Sequence, residues 1–97
     1  MTNPDHQIAK QILDNVFDMY KRKNADYGNS FAEQYGKYGD LSYMIRKDDK
    51  SRRFEQLCKQ EAQVVSESKE DTVMDSIGYD LLWLIEQEKL KRAAVNE

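Results

Sequence analysis

The chain has 97 residues, of which 34% are charged, and a formal net charge of −3. That length leaves room for one core and one domain, residues 1–97, and the acidic balance argues against sequence-independent duplex DNA binding, which needs a basic face over the phosphates. Four glycines and one proline are too few for many short strands and tight turns, so the composition points to an all-α fold.

The first predicted helix runs from about Asp5 to Lys23. Ile8, Ile12, Leu13, Val16, Phe17 and Tyr20 repeat as one apolar face, and Pro4 with Asp5 suits a helix start. The segment 24–30 is rich in turn formers, and Gly28 and Asn29 can adopt positive φ. A loop or short helix follows through Phe31–Tyr38. Asp40 is the expected N-cap of a helix from Leu41 to about Gln60, with Leu41, Met44 and Ile45 facing the core. After a connection over 60–66, a last helix runs from Ser66 or Ser68 to about Ala93. Its middle, Leu81 to Ile85, has no polar side, so neighbours are expected on several faces. The expected architecture is a small helical bundle, three long helices plus a short helix or loop, completed by homo-oligomerisation.

Acids then stand out. Glu67, Asp71 and Asp75 are spaced four apart and share one helical strip. Like charges at that spacing repel by about 0.2–0.5 kcal/mol per pair, so a metal ion or a cationic partner is expected among them. In the preceding helix, the inward stripe from Leu41 continues to Asp48, Arg52 and Glu55, with Asp49 and Arg53 beside it. Buried charges need partners or ligands, so a wet cleft is expected, with Asp48 or Asp49 facing the acids of the last helix. Two such acidic walls suit Mg²⁺, or Mn²⁺ in its place, with Lys50 and Arg53 taking phosphate oxygens. An ordinary reading stands beside this one. Acids in the first turns favour the helix dipole, Ser68 with Asp71 approximates a capping box, and Asp75 pairs with Lys or Arg on a neighbouring helix. Gly78, in mid-helix, costs about 0.5–1 kcal/mol relative to Ala and is expected where something approaches the backbone.

Three segments together carry a resemblance: Lys23–Phe31 (Lys-Asn-Ala-Asp-Tyr-Gly-Asn-Ser-Phe), Arg46–Arg53 (Arg-Lys-Asp-Asp-Lys-Ser-Arg-Arg), and Glu67–Asp75 followed by Tyr79. Their order and separation resemble the small phage and bacterial domain described as nucleotide-modification-associated, related to MazG-like all-α nucleoside triphosphate pyrophosphatases. The resemblance implies a dimeric or tetrameric MazG-like domain whose acidic clusters hold Mg²⁺ and which releases pyrophosphate from a nucleotide. Carried over by position, Asp49, Glu67, Asp71 and Asp75 would bind metal, with Asp49, Asp71 and Asp75 also catalytic. Lys50 and Arg53 would hold phosphates, and Lys23, Asp26, Tyr27 and Asn29 would face the nucleotide. The MazG-like superfamily's first acidic pair has no clear counterpart here, and its second appears as Asp71 and Asp75, four apart rather than three.

Three functions follow as expectations: a Mg²⁺-dependent nucleotide pyrophosphohydrolase; a non-catalytic binder that sequesters a nucleotide or a nucleotide-derived host defence signal; and a helical inhibitor of a host protein. The lone Cys58 and the lack of a long apolar run fit a cytoplasmic protein, in the host cytoplasm if phage-encoded, and no membrane association is expected.

Overall fold

The computed structural model describes residues 3–27, 29–59 and 66–95, with the side chains of Asp26, Tyr27 and Ser66 to Ser68 outside that description. All of the regular structure among the described residues is helical: α1 (Pro4–Tyr27), α2 (Ser30–Tyr38), α3 (Asp40–Lys59) and α4 (Ser66–Val95).

Each helix begins for a local reason. Asn3 caps α1, its side-chain oxygen accepting the Asp5 N–H at 2.8 Å, and Pro4 occupies the first helical position, where its missing N–H is not needed. The helix runs to Tyr27, four residues past the expected end, since nothing between Asn24 and Tyr27 forbids helical φ and ψ. Asn29 does not use the positive φ open to it. Its φ is −101°, and its carbonyl accepts the Glu33 N–H at 3.0 Å as α2 begins. Gly28 lies outside the described residues.

Gly39 makes the break between α2 and α3. Its φ of 61° is the only positive value among the described residues, and its N–H closes α2 on the Tyr35 carbonyl at 2.8 Å. The Gly39 carbonyl then accepts the Ser42 hydroxyl at 2.8 Å, anchoring the first turn of α3. Asp40, expected as the N-cap, is already helical, and its carboxylate accepts the Trp83 indole N–H at 2.9 Å instead.

The expected inward face of α3 is reversed. Leu41, Met44 and Ile45 are all exposed, at 54%, 61% and 53%. The side turned to α4 carries Tyr43, Arg46, Lys47 and Lys50, which meet Asp75, Ser76, Tyr79 and Asp80. Residues two apart on a helix point about 200° apart. The polar set 43, 46, 47, 50 and the apolar set 41, 44, 45 therefore occupy opposite sides, and only one can face α4. The charges that broke the apolar stripe do not line a cleft either: Asp48 pairs with Arg52 at 3.0 Å on the exposed surface.

The core is thin. Among the described residues Val16, Phe31 and Leu57 are the buried apolar ones, while Ile8, Ile12, Leu13 and Phe17 of α1 stand exposed. Of the apolar run in α4, Leu84 is exposed and its neighbours are half-buried. The radius of gyration is 16.1 Å, against about 12.5 Å for a compact domain of this length. Among the described residues no helix is long and apolar enough to cross a membrane.

Candidate functional site

Helix α1 crosses α4 at Gly78. A Cβ built there would lie 3.1 Å from the Met19 methyl, so the missing side chain lets the two helices approach. This is the close approach expected at that glycine, and the visitor is another helix.

On one side of the crossing lies a cleft of about 460 Å³. Its walls are Tyr20, Lys23 and Asn24 of α1, Asn29 to Ala32 at the start of α2, Arg46 of α3, and Asp75, Tyr79, Glu86 and Lys89 of α4. On the other side a second depression, of about 470 Å³, is lined by Asn15, Asp18, Arg22, Asp71 and Asp75. Asp75 lines both.

Asp75 sits between two lysines from two different helices. Lys23 of α1 donates to Oδ1 at 2.8 Å, and Lys50 of α3 donates to Oδ2 at 3.2 Å. Partial burial works against its ionisation, but the hydrogen bonds and charges of Lys23 and Lys50 outweigh it and hold the carboxyl below the usual aspartate value. The cation expected among the acids is thus supplied at Asp75 by side chains. Asp71 is exposed, one turn away.

Arg46 projects into the first cleft in a fixed pose. It lies against two aromatic rings, 5.2 Å from the Tyr79 centroid and 5.8 Å from that of Phe31. One amino group donates to the Gln34 side-chain oxygen and the other to the Tyr79 hydroxyl at 3.4 Å. Every partner it has among the described residues is neutral, and the carboxylates on the same cleft, Asp75 and Glu86, pair with lysines instead.

Beyond the cleft, α3 and α4 are joined by a second polar network. The Tyr43 hydroxyl donates to Asp80 at 2.6 Å, and Lys47 pairs with the same carboxylate at 2.9 Å while also donating to the Ser76 hydroxyl and carbonyl. The hydrogen bond to Asp80, then burial and the carboxylate charge, push the Tyr43 hydroxyl above its ordinary pKa. The Tyr43 ring packs on Trp83 at 5.8 Å.

Of the residues singled out in the sequence, the fold brings together Lys23, Lys50 and Asp75; Lys23, Asp75 and Asn29 line the cleft, Asp71 the adjoining depression, and Lys50 neither. Asp49 and Arg53 are exposed and line neither depression. The side chains of Glu67, Asp26 and Tyr27 fall outside the described residues. Among the described residues no three His, Cys, Asp or Glu side chains gather to hold a metal ion, and both oxygens of Asp75 already accept from lysines. Sequence reasoning missed the individual roles of Arg46, Tyr79, Glu86 and Lys89 in the cleft, and of Asp18 and Arg22 in the depression. The available signal was the spacing of Tyr43, Arg46, Lys47 and Lys50, which repeats in Ser76, Tyr79, Asp80 and Trp83.

No curated protein and no solved structure matches this chain. Residues 23–87, which contain nearly all of the first cleft, match the family described as nucleotide modification associated domain 1. The match spans more than half of the sequence, and the chain belongs to that family.

Proposed function

We propose that the chain is a nucleotide-binding protein whose site is the cleft between α1, the start of α2 and α4. The observation that carries this reading is Arg46, a half-buried guanidinium with only neutral partners among the described residues. A cation withdrawn from water without a counter-ion is costly, and a bound anion removes that cost. Guanidinium suits a phosphate, which it contacts through paired N–H groups. The flanking rings limit its rotamers beforehand, so less order is lost on binding. Lys23 and Lys89 line the same cleft paired with Asp75 and Glu86, which leaves Arg46 as its net positive charge, while Asn24, Asn29 and the Tyr20 ring offer hydrogen bonds and a stacking surface for a base or sugar. Membership of a nucleotide-modification-associated family supports the same class of ligand.

A second reading, Mg²⁺-dependent pyrophosphohydrolysis of the MazG-like kind, draws on the other side of the crossing. Asp18, Asp71 and Asp75 all line that depression. Glu67, the third acid of that strip, has its side chain outside the described residues, and the binding reading stands first because the Arg46 cleft carries it without a metal. The apolar residues left exposed on α1 and α3 favour a homo-oligomer, which would cover Ile12, Phe17, Met44 and Ile45 and fill out the thin core.

The experiment is incubation with ribo- and deoxyribonucleoside triphosphates, with and without Mg²⁺, followed by mass spectrometry of the ligand recovered after denaturation. Intact bound nucleotide supports the binder. Monophosphate and pyrophosphate that vanish in Asp71→Asn support the hydrolase. Absence of both bound nucleotide and cleaved product contradicts both.

A further inference from the structure

We infer that Lys23 and Lys50 form a second anion subsite, made for the distal phosphates of a nucleoside di- or triphosphate, and that Asp75 occupies it until the ligand arrives. The inference rests on the nucleotide-binding reading above and assigns Asp75 a role opposite to that of a metal ligand.

The two lysines come from different helices, α1 and α3, and converge on one carboxylate of α4. An ammonium has three N–H donors, and among the described residues each of these lysines makes one side-chain contact, the one to Asp75. Lys47, a turn earlier than Lys50 on α3, is the internal contrast. It donates to the Ser76 hydroxyl and carbonyl and pairs with Asp80, three partners on one ammonium. Lys23 and Lys50 therefore keep donors in reserve, and a triphosphate has more acceptor oxygens to offer them than one carboxylate has. Lys23 and Asp75 line the same cleft as Arg46, whereas Lys50 lines neither depression and meets the cleft only through Asp75. The incoming phosphate displaces the carboxylate, and Asp75 turns towards the second depression, which it also lines. Free chain and liganded chain thus hold the same two cations with different anions.

The test is calorimetric titration of inorganic triphosphate into the wild type and Asp75→Asn, with the fold of each checked by circular dichroism. Asp75→Asn keeps the side-chain size and removes the competing charge. It is expected to bind about five- to tenfold more tightly, the scale of two partly exposed ion pairs no longer competing, and the gain is expected to vanish in Asp75→Asn combined with Lys23→Gln or with Lys50→Gln. Equal or weaker binding by folded Asp75→Asn overturns the inference. A second readout needs no variant: carbon-13 NMR of the Asp75 carboxyl in the wild type. Saturating triphosphate is expected to move its titration up towards an ordinary aspartate, and an unmoved titration overturns the inference. If Arg46→Gln abolishes triphosphate binding while Asp75→Asn gains none, the nucleotide reading stands and this inference falls. If neither wild type nor Asp75→Asn binds triphosphate or any nucleotide, the nucleotide reading falls and this inference with it.

Discussion

Two carboxylates of α4, Asp75 and Asp80, each accept from two side-chain donors, yet they sit in regions of different character. Both donors to Asp80 come from α3, one of them stacked on Trp83 and the other tied also to Ser76. The donors to Asp75 come from two helices, and the carboxylate faces open space on either side of the α1–α4 crossing. Saturated donors make a seam that holds helices together, whereas donors held in reserve beside a cleft make a site. The distinction lies in how many other partners each donor has, and local charge does not reveal it.

The sharpest way to break the comparison is through the cleft. Arg46→Gln removes the unbalanced cation and is expected to weaken nucleotide binding by roughly 2–3 kcal/mol, the scale of charge-assisted hydrogen bonds, while Asp80→Asn leaves affinity within about twofold. Titration of both variants with the same nucleotide checks this. If Asp80→Asn loses as much affinity as Arg46→Gln, the seam belongs to the site.

Stability sharpens the comparison from the other direction. Asp80→Ala takes the acceptor from Tyr43 and Lys47 together and is expected to cost about 1–3 kcal/mol in denaturant unfolding. Asp48→Asn, on an exposed pair with Arg52, is expected to change stability by less than about 0.5 kcal/mol.

The two regions also fail at opposite ends of the pH scale. Asp75 is held below its unfolded value, so what it contributes is present above about pH 4 and is lost as pH falls through its folded value. Tyr43 is raised, so its contribution is present below about pH 10 and is lost as pH rises through its folded value. Each effect is expected to be about 1 kcal/mol or less, because the partners are partly exposed. Thermal melts across pH check it: Asp75→Asn flattens only the acid limb and Tyr43→Phe only the alkaline one.

Much of the helix layout was legible in the sequence because capping and periodicity are local. Pro4, the apolar repeat of α1 and the break at Gly39 act over a few residues. The facing of α3 was not legible. Leu41, Met44 and Ile45 form a convincing apolar stripe, but in a chain with so thin a core the polar side of α3 finds more partners on α4 than the apolar side does. The reversal explains why Lys50 rather than Asp49 reaches Asp75, since adjacent residues point about 100° apart. At Asp75 the acid strip meets positive charge from Lys23 and Lys50. Spacing alone could not tell a metal ion from Lys23, which lies 52 residues away in sequence.

The central claim, that the cleft around Arg46 binds nucleotide, is tested most directly by measuring the affinity of wild type and Arg46→Gln for a panel of nucleoside triphosphates. The account predicts saturable binding of at least one nucleotide by the wild type and its loss in folded Arg46→Gln. No binding by the wild type, or binding that Arg46→Gln leaves unchanged, would contradict it.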